Sequence, residues 1–357
     1  MHIILILIFL IACTIIYAMP NRINKNKWMS IFGGIILFMY GALRSISVGI
    51  DTIDYAEAYL LVQNLSFEAI FSSSALLVSR DPIFYFFVKS LTFISKDPHL
   101  LLMIISAIVA ISFSYFVYKN SVNPFMSFIM FIGLRYYSFT LTGLRQAVAW
   151  SLIFYSYEFI KKRQLKKFTL VIIVASLFHS SAILFILAYP LSYLRNVKKI
   201  SLIIMFGLLL NFTTNNLFLK LLTKIPILQQ YENYLYRDES AGTGITMIMI
   251  YILILCFSYI MRKKIDKKST YFYLMYNLSI VGLGITLLSF NYANIFRIGY
   301  YFIFPIVLIL PISIKSSFNK KSEVVVSFLV ILLLVAQYII IGPGAGTDNY
   351  DFFWKID

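Results

Sequence analysis

Six arginines in this 357-residue sequence stand apart from its lysine-rich runs. A guanidinium group is a rigid fork that binds a phosphate or a carboxylate through two hydrogen bonds, which a lysine ammonium group cannot do. Arginines gathered on one side of a protein therefore favour an anionic ligand. Arg145 is the first candidate, because it opens an apolar helix and the amide of Gln146 adjoins it. The six are Arg44, Arg80, Arg135, Arg145, Arg237 and Arg297.

The stretch "GIDTIDYAEAY" offers carboxylates for acid–base chemistry. Asp51 and Asp54 are three residues apart, so a helical turn places both on one face. A carboxylate there can act as a general base on a hydroxyl group or can orient it. Tyr55 adds an aromatic flank that suits a sugar ring. The alternative interpretation is a solvated helix start, with the acids near the positive end of the helix dipole.

A histidine in the stretch "ASLFHSSAI" is the second candidate base. Histidine as a residue type titrates near neutrality, which suits proton transfer. His179 also marks a break in an apolar segment that is too long for one crossing. The alternative is a hydrogen-bonded histidine in the protein core.

The composition makes lipid the main solvent of this chain. Sixty per cent of its residues are hydrophobic and only 13% are charged. We predict an all-α, polytopic membrane protein with about 11–13 transmembrane or re-entrant helices, forming a single integral membrane domain over residues 1–357. No metal-binding or cofactor-binding motif appears. The net charge of +16 lies mostly in short runs between apolar segments, which is typical of cytoplasmic anchors and argues against a nucleic-acid partner.

The topology follows from those basic connections, which the positive-inside rule places in the cytoplasm. Both termini then lie outside, and the main outer loops are 44–80 and 223–243. The six arginines also face outward, where the positive-inside rule disfavours them. The cytoplasmic connections are "NRINKNK", "KKRQLKK", "RNVKK", "RKKIDKK" and "KSSFNKK".

Two apolar segments do not fit single crossings of roughly 30 Å, which take about 20 residues. Residues 82–95 are short and contain Lys89, so we predict that they lie along or dip into the membrane. Residues 168–194 are too long, and we predict a broken hairpin that turns near His179. Irregular backbone at that depth is tolerated where protein or a watery cavity covers it. Both segments therefore predict an internal cavity.

Simpler roles exist for several of these residues. Arg145 near a helix end can extend its side chain to water at little cost. Arg297 is followed by Tyr300 and Tyr301, as in an interfacial anchor. The tail "GPGAGTDNYDFFW" is a turn and an aromatic–acidic patch that either covers an outer cavity or lies on the headgroups.

The stretch "LRQAVAWSLIFYSYEFIKKRQLKKFTLVIIVASLFHSSAILFILAYPL" resembles the central block of the EpsG-like family of bacterial exopolysaccharide membrane proteins. In that block a leucine-arginine-glutamine sequence opens a helix, a basic turn follows, and a phenylalanine-histidine-serine break comes next. The loop "GIDTIDYAEAY" and the segment "NIFRIGYYF" resemble early and late parts of the same family.

The family is similar in role to Wzy-type polymerases. The resemblance implies a glycosyltransferase that joins oligosaccharide repeat units carried on undecaprenyl diphosphate into O-antigen, capsule or exopolysaccharide. It would act without a cofactor, at the outer face of the bacterial cytoplasmic membrane, with a flippase and a chain-length regulator as candidate partners. The early acidic loop is also similar to that of GT-C glycosyltransferases.

The resemblance also suggests roles for the candidate residues. Arg145, helped by Arg135 or Arg297, would bind the diphosphate and stabilise its charge as it departs. The acceptor hydroxyl would lose its proton to a base. The candidate bases are Asp51, Asp54 and His179. The other candidate substrate contacts are Gln146, Arg44, Arg80 and Tyr55.

Three other functions are compatible with a multi-helix membrane protein of this kind. A flippase of the lipid-linked unit would also need a cationic cavity, but here the charges collect on one face and no internal repeat appears. A membrane acyltransferase or a glycosyltransferase that adds a single unit is the second, and the sequence leaves single addition and polymerisation both open. The third is a non-catalytic assembly partner.

Overall fold

The computed structural model describes residues 2–20, 22–72, 81–194, 224, 244–265, 270–288, 295–342 and 344–355. Arg80, Arg237 and nearly all of the predicted outer loop 223–243 lie outside the described residues. Throughout the described part the regular structure is helical, as predicted, and the one β-bridge joins Arg44 to Phe352. In chain order the helices are α1 (His2–Ala18), α2 (Lys25–Ala42), α3 (Thr52–Gln63), α4 (Phe67–Ser72), α5 (Pro82–Leu91), α6 (His99–Asn120), α7 (Pro124–Gly133), α8 (Tyr136–Thr142), α9 (Leu144–Lys161), α10 (Leu165–Phe178), a 3-10 helix (Ser180–Leu187), α11 (Ala188–Leu191), α12 (Ile245–Met261), α13 (Thr270–Leu287), α14 (Phe296–Ile303), α15 (Ile306–Ser317) and α16 (Lys320–Ile341).

Among the described residues, three helical stretches are long and apolar enough to cross a membrane. They are α6, the continuous stretch Phe296–Ser317 that contains α14 and α15, and α16. Several shorter apolar helices accompany them, including α1, α5 and α12. A helix rises about 1.5 Å per residue, so the three long stretches reach the thickness of the hydrocarbon core. The chain is an all-α, polytopic membrane protein.

The chain divides into two compact units. Met1–Tyr155, Leu177–His179 and Lys321–Asp357 form the first unit, and Ser156–Ser176 with Ser180–Lys320 form the second. The single membrane domain over residues 1–357 stays a prediction.

In the first unit, glycines let α2 pack closely along α6. A Cβ atom at Gly34 would lie 2.2 Å from Ser114 Oγ, and one at Gly41 would lie 2.6 Å from Ser106 Oγ. The two glycines are seven residues apart, so they lie on the same face of α2 two turns from each other. Small residues allow such close approach where lipid supplies no hydrophobic drive between helices. This packing fixes the end of α2, from which the loop containing Arg44 leaves.

Also in the first unit, α5 covers only half the thickness of a bilayer. Its ten residues span about 15 Å, which confirms that the segment 82–95 is too short to cross as one helix. Lys89 is buried and donates from Nζ to the carbonyl oxygen of Gln63, 2.8 Å away. The helix packs against α3 and α4. Its position relative to the membrane stays a prediction.

In the second unit, the start of α10 and the end of α11 meet. Arg163 Nη1 donates to Ser192 Oγ at 2.6 Å, and its Nη2 donates to the Ser192 carbonyl oxygen at 3.3 Å. The rings of Phe168 and Tyr189 also pack together, with centroids 5.3 Å apart. The chain therefore folds back on itself between Arg163 and Ser192, and α10 ends at Phe178. The fold-back and the helix break next to His179 agree with the predicted broken hairpin, and its position in the membrane stays a prediction.

Candidate functional site

An ion pair between Asp81 and Arg145 lies at the centre of the candidate site. Arg145 Nη1 donates to Asp81 Oδ2 at 2.9 Å. The Asp81 side chain is 5% exposed and that of Arg145 is 19% exposed. A pair so little exposed to solvent is weakly screened, and loss of either partner would leave a buried charge. Of the two partners, Arg145 is the one whose side chain solvent or a ligand can reach.

The local sequence explains why both side chains are directed at each other. Asp81 directly precedes α5, and Pro82 occupies the first turn of that helix, a position that needs no backbone N–H. Asp81 does not use its carboxylate to cap α5, so the carboxylate is available to Arg145. Arg145 lies in the first turn of α9, immediately after the break between α8 and α9 at Gly143.

His179 approaches the same carboxylate oxygen from the end of α10. Its Nδ1 lies 3.5 Å from Asp81 Oδ2, an electrostatic contact longer than a normal hydrogen bond. The aromatic rings of Phe87 on α5 and Phe178 pack edge to face, with centroids 6.2 Å apart. That contact holds the middle of α5 against the residue that precedes His179. The helix ends here because the serines that follow compete for backbone hydrogen bonds and favour a tighter 3-10 turn.

Tyr55 completes the group. Arg145 Nε donates to the Tyr55 hydroxyl oxygen at 3.2 Å, and the guanidinium carbon lies 5.9 Å from the centre of the tyrosine ring. The Tyr55 ring is buried and packs edge to face on Phe84. We call Tyr55, Asp81, Arg145 and His179 the Arg145 cluster; all four belong to the first unit.

The cluster combines an anion-binding group with a candidate proton acceptor. Arg145 Nε and Nη1 are engaged, while Nη2 has no hydrogen-bond partner among the described residues. The Asp81 carboxylate beside Nδ1 of His179 favours the tautomer that carries its proton there, and Nε2 then keeps its lone pair. Such an arrangement can stabilise negative charge through Nη2 and accept a proton at Nε2.

The predicted acids of the first loop lie elsewhere. Asp51 and Asp54 occupy the start of α3 as predicted, with Asp51 at the cap position and Asp54 in the first turn. The backbone N–H of Asp51 donates to Thr142 Oγ1 at 2.9 Å, and Asp54 is exposed. Neither carboxylate contacts Arg145. The acid that does is Asp81, which the sequence analysis missed.

The remaining predicted arginines are dispersed. Arg135 adopts a left-handed backbone conformation before α8 and donates from Nη2 to the carbonyl oxygen of Gly342. Arg44 is buried beneath the C-terminal tail, and Gln146 is buried on α9. Arg297 is the second residue of α14, in the second unit. Within the first unit, neither Arg135 nor Arg44 contacts Arg145 in the described contacts.

Metal-ligating side chains do not gather in the described residues: no group of three or more histidine, cysteine or acidic residues is close enough to hold a metal ion.

A family model of known proteins, described as the EpsG family, matches residues 27–354. The match covers nearly the whole chain. The chain belongs to the EpsG family. No curated protein and no solved structure matches it significantly. The EpsG family consists of Wzy-like polysaccharide polymerases, so this chain is a membrane protein of the polysaccharide-polymerase kind, with lipid-linked sugars as the class of substrate that the family implies.

All four members of the Arg145 cluster lie within the EpsG family match. The sequence analysis found Arg145, His179 and Tyr55, and it missed Asp81. A signal for Asp81 was present: an acid followed directly by proline at the start of an apolar helix, in a chain with few acids. The distance of 64 residues between Asp81 and Arg145 concealed their pairing.

Proposed function

We propose that this EpsG-family protein is a polymerase that joins undecaprenyl-diphosphate-linked oligosaccharide repeat units at the outer face of the bacterial cytoplasmic membrane. The observation that carries the proposal is the Arg145 cluster, in which a partly exposed guanidinium and an imidazole share one buried carboxylate. Joining two lipid-linked units requires a group that stabilises a departing diphosphate and a base for a hydroxyl. The cluster offers one of each.

In the proposed reaction the oxygen of an acceptor sugar hydroxyl attacks the anomeric carbon of the donor. The bond from that carbon to the diphosphate oxygen breaks, and the lipid diphosphate leaves with the electron pair. The hydroxyl proton passes to Nε2 of His179, which Asp81 orients through Nδ1. Arg145 stabilises the departing charge through Nη2 while its other nitrogens keep it in place.

His179 is favoured over Asp51 and Asp54 as the base, because neither acid contacts Arg145 and Asp54 is exposed. Arg135 and Arg297 remain proposed helpers for the diphosphate. Arg80 and Gln146 also remain proposed substrate contacts, and a flippase and a chain-length regulator remain proposed partners.

Complementation of a deletion strain tests the proposal. Variants Arg145→Lys and His179→Ala are expressed in a strain that lacks the gene, and surface glycans are resolved on a gel with protein levels checked in isolated membranes. Lysine keeps the charge of Arg145 and loses its fork. We expect single repeat units without a ladder from both variants. The matched control is Arg22→Lys, an exposed arginine outside the cluster, which should give the normal ladder.

Normal ladders from both variants would refute the proposed roles. Accumulation of lipid-linked units on the inner leaflet in the deletion strain would indicate a flippase instead. A single-unit product that never forms a ladder in the wild type would indicate single addition.

A further inference from the structure

Arg44 is a buried cation without a counter-ion in the described residues. It follows α2, only 1% of its surface is exposed, and no carboxylate of the described chain lies within salt-bridge distance of it. Its Nε and Nη1 atoms are buried and have no hydrogen-bond partner among the described residues. Two donors of a charged group are thus enclosed in protein with nothing to accept from them.

The groups around Arg44 are neutral and mainly aromatic. The charge of Arg44 acts on the hydroxyls of Tyr137, Tyr350 and Tyr40. Nε2 of His99 lies 3.2 Å from the Arg44 carbonyl oxygen, so it faces the backbone and not the guanidinium. Burial lowers the pKa of Arg44 to about 10, which still leaves it protonated at neutral pH.

A lone buried charge is costly, because protein replaces water around it without supplying an opposite charge. An unsatisfied buried group in a native protein calls for an explanation, and a bound ion is one of them. The chemistry that fits a guanidinium with two spare donors is an oxyanion, for which arginine forms short, charge-assisted hydrogen bonds.

The cover over Arg44 is the C-terminal segment 344–355, which we call the strap. It is held to residues 43–50 by backbone hydrogen bonds: Ser45 N to Asp351 O at 2.8 Å, Phe353 N to Leu43 O at 3.0 Å, Gly49 N to Gly346 O at 3.0 Å and Ile50 N to Ala345 O at 3.1 Å. Tyr350 adds one bond from its hydroxyl to the Tyr40 carbonyl oxygen at 2.6 Å.

Aromatic packing completes the cover. The Tyr350 ring lies 4.3 Å from that of Tyr40, and Phe353 stacks on His99 at the same separation. The strap has two acids, and neither pairs with Arg44: Asp351 pairs with Lys355 at 2.7 Å, and the carboxylate of Asp348 lies beside Gly342. The strap therefore encloses Arg44 and brings it no negative charge.

The strap leaves α16 through a glycine-rich turn. Gly342, Gly344 and Gly346 all have positive φ angles, of 77°, 67° and 69°. Glycine adopts these angles without the steric cost that other residues incur. Hydrogen bonds and aromatic contacts, without an ion pair among the described residues, hold the strap to its surroundings, so the strap can open without unfolding the helices.

We propose that Arg44 is an anion-binding site for a phosphate or diphosphate group, and that the strap opens to admit the anion and closes over it. The site is separate from the Arg145 cluster, because the described contacts of Arg44 and Arg145 share no residue. The inference does not depend on the proposed glycan reaction.

Binding of inorganic phosphate and inorganic diphosphate to the full-length protein tests the site. The protein is placed in nanodiscs of phosphatidylcholine and titrated by calorimetry. We expect Arg44→Lys to weaken phosphate binding about tenfold, because it loses charge-assisted hydrogen bonds. We expect Arg44→Gln to abolish phosphate binding at this site. The control Arg22→Gln removes one exposed positive charge and should bind as the wild type does.

Hydrogen exchange separates this site from any anion bound at the Arg145 cluster. Phosphate should slow the exchange of amides in 344–355 and 43–50 in the wild type, and should leave them unchanged in Arg44→Gln. Nanodiscs that contain phosphatidylglycerol distinguish the source of the anion: a lipid headgroup in the site would slow the same amides without added phosphate. Equal binding and equal strap exchange in wild type and Arg44→Gln, with phosphate, diphosphate and anionic lipid alike, would overturn the proposal.

Discussion

Arg145 and Arg44 are both enclosed within the first unit, but their surroundings are opposite. Arg145 meets a buried carboxylate at 2.9 Å and a tyrosine hydroxyl at 3.2 Å. Arg44 is more completely buried, and tyrosines and backbone surround it without an acid. The sequence gives no hint of this contrast, since each arginine follows an apolar stretch next to a polar residue.

The difference separates two uses of the same side chain. At Arg145 the carboxylate compensates most of the charge inside the protein, and the guanidinium is fixed in orientation with one nitrogen left over. At Arg44 the compensation has to come from outside the described chain. The first environment is suited to holding a reactive group in place, and the second to capturing an anion.

The largest expected effect comes from removal of the carboxylate in the Arg145 cluster. Asp81→Asn leaves the guanidinium buried without its counter-ion, so we expect the free energy of unfolding to fall by ~3 kcal/mol. Thermal unfolding of the detergent-solubilised protein measures this. The same variant should give no glycan ladder, because His179 loses its orienting charge.

A double variant separates the two effects of Asp81→Asn. Asp81→Asn combined with Arg145→Gln removes both charges, and we expect it to recover most of the lost stability while the ladder stays absent. If Asp81→Asn alone were as stable as the wild type, the ion pair would not contribute to stability. Arg145 would then not differ from Arg44 in needing a carboxylate partner.

A smaller effect of opposite sign is expected at Arg44. Arg44→Gln removes an uncompensated buried charge, so in phosphate-free buffer we expect stability to rise by ~1–2 kcal/mol. Added phosphate should stabilise the wild type and close this gap. The thermal midpoint with and without phosphate measures both, beside Arg22→Gln as the control. A loss of stability in phosphate-free buffer would mean that Arg44 is compensated inside the protein.

Local patterns predicted the parts of the site that depend on local sequence. The start of α9 at Arg145 and the break at His179 follow from an apolar run bounded by polar residues. The return of the hairpin followed from its excess length over one crossing. The partner of Arg145 could not be predicted in this way. Helical periodicity describes neighbours within one helix, and Asp81 lies in a loop 64 residues earlier in the chain.

The strap illustrates the same limit. The glycines of "GPGAG" predicted a turn, and the following residues an aromatic–acidic patch. This segment pairs with residues 43–50 through backbone atoms, and backbone pairing cannot be inferred from the pattern of side chains. The burial of Arg44 is a consequence of this pairing, so it appears only in the folded chain.

The smallest effect tests whether the Arg145 cluster needs its hydroxyl as well as its carboxylate. Tyr55→Phe removes the acceptor for Arg145 Nε, and Tyr59→Phe, one turn along α3, removes the bond from the Tyr59 hydroxyl to the Ser95 carbonyl oxygen at 2.8 Å. Each loses one hydrogen bond, so we expect both to lower the free energy of unfolding by ~1 kcal/mol. Only Tyr55→Phe should also shorten the glycan ladder. Without the Tyr55 hydroxyl the guanidinium of Arg145 can rotate, so its Nη2 atom is no longer held toward the diphosphate that it is proposed to bind. Equal ladders from the two variants would show that Asp81 alone orients Arg145, and the cluster would then reduce to the ion pair and His179.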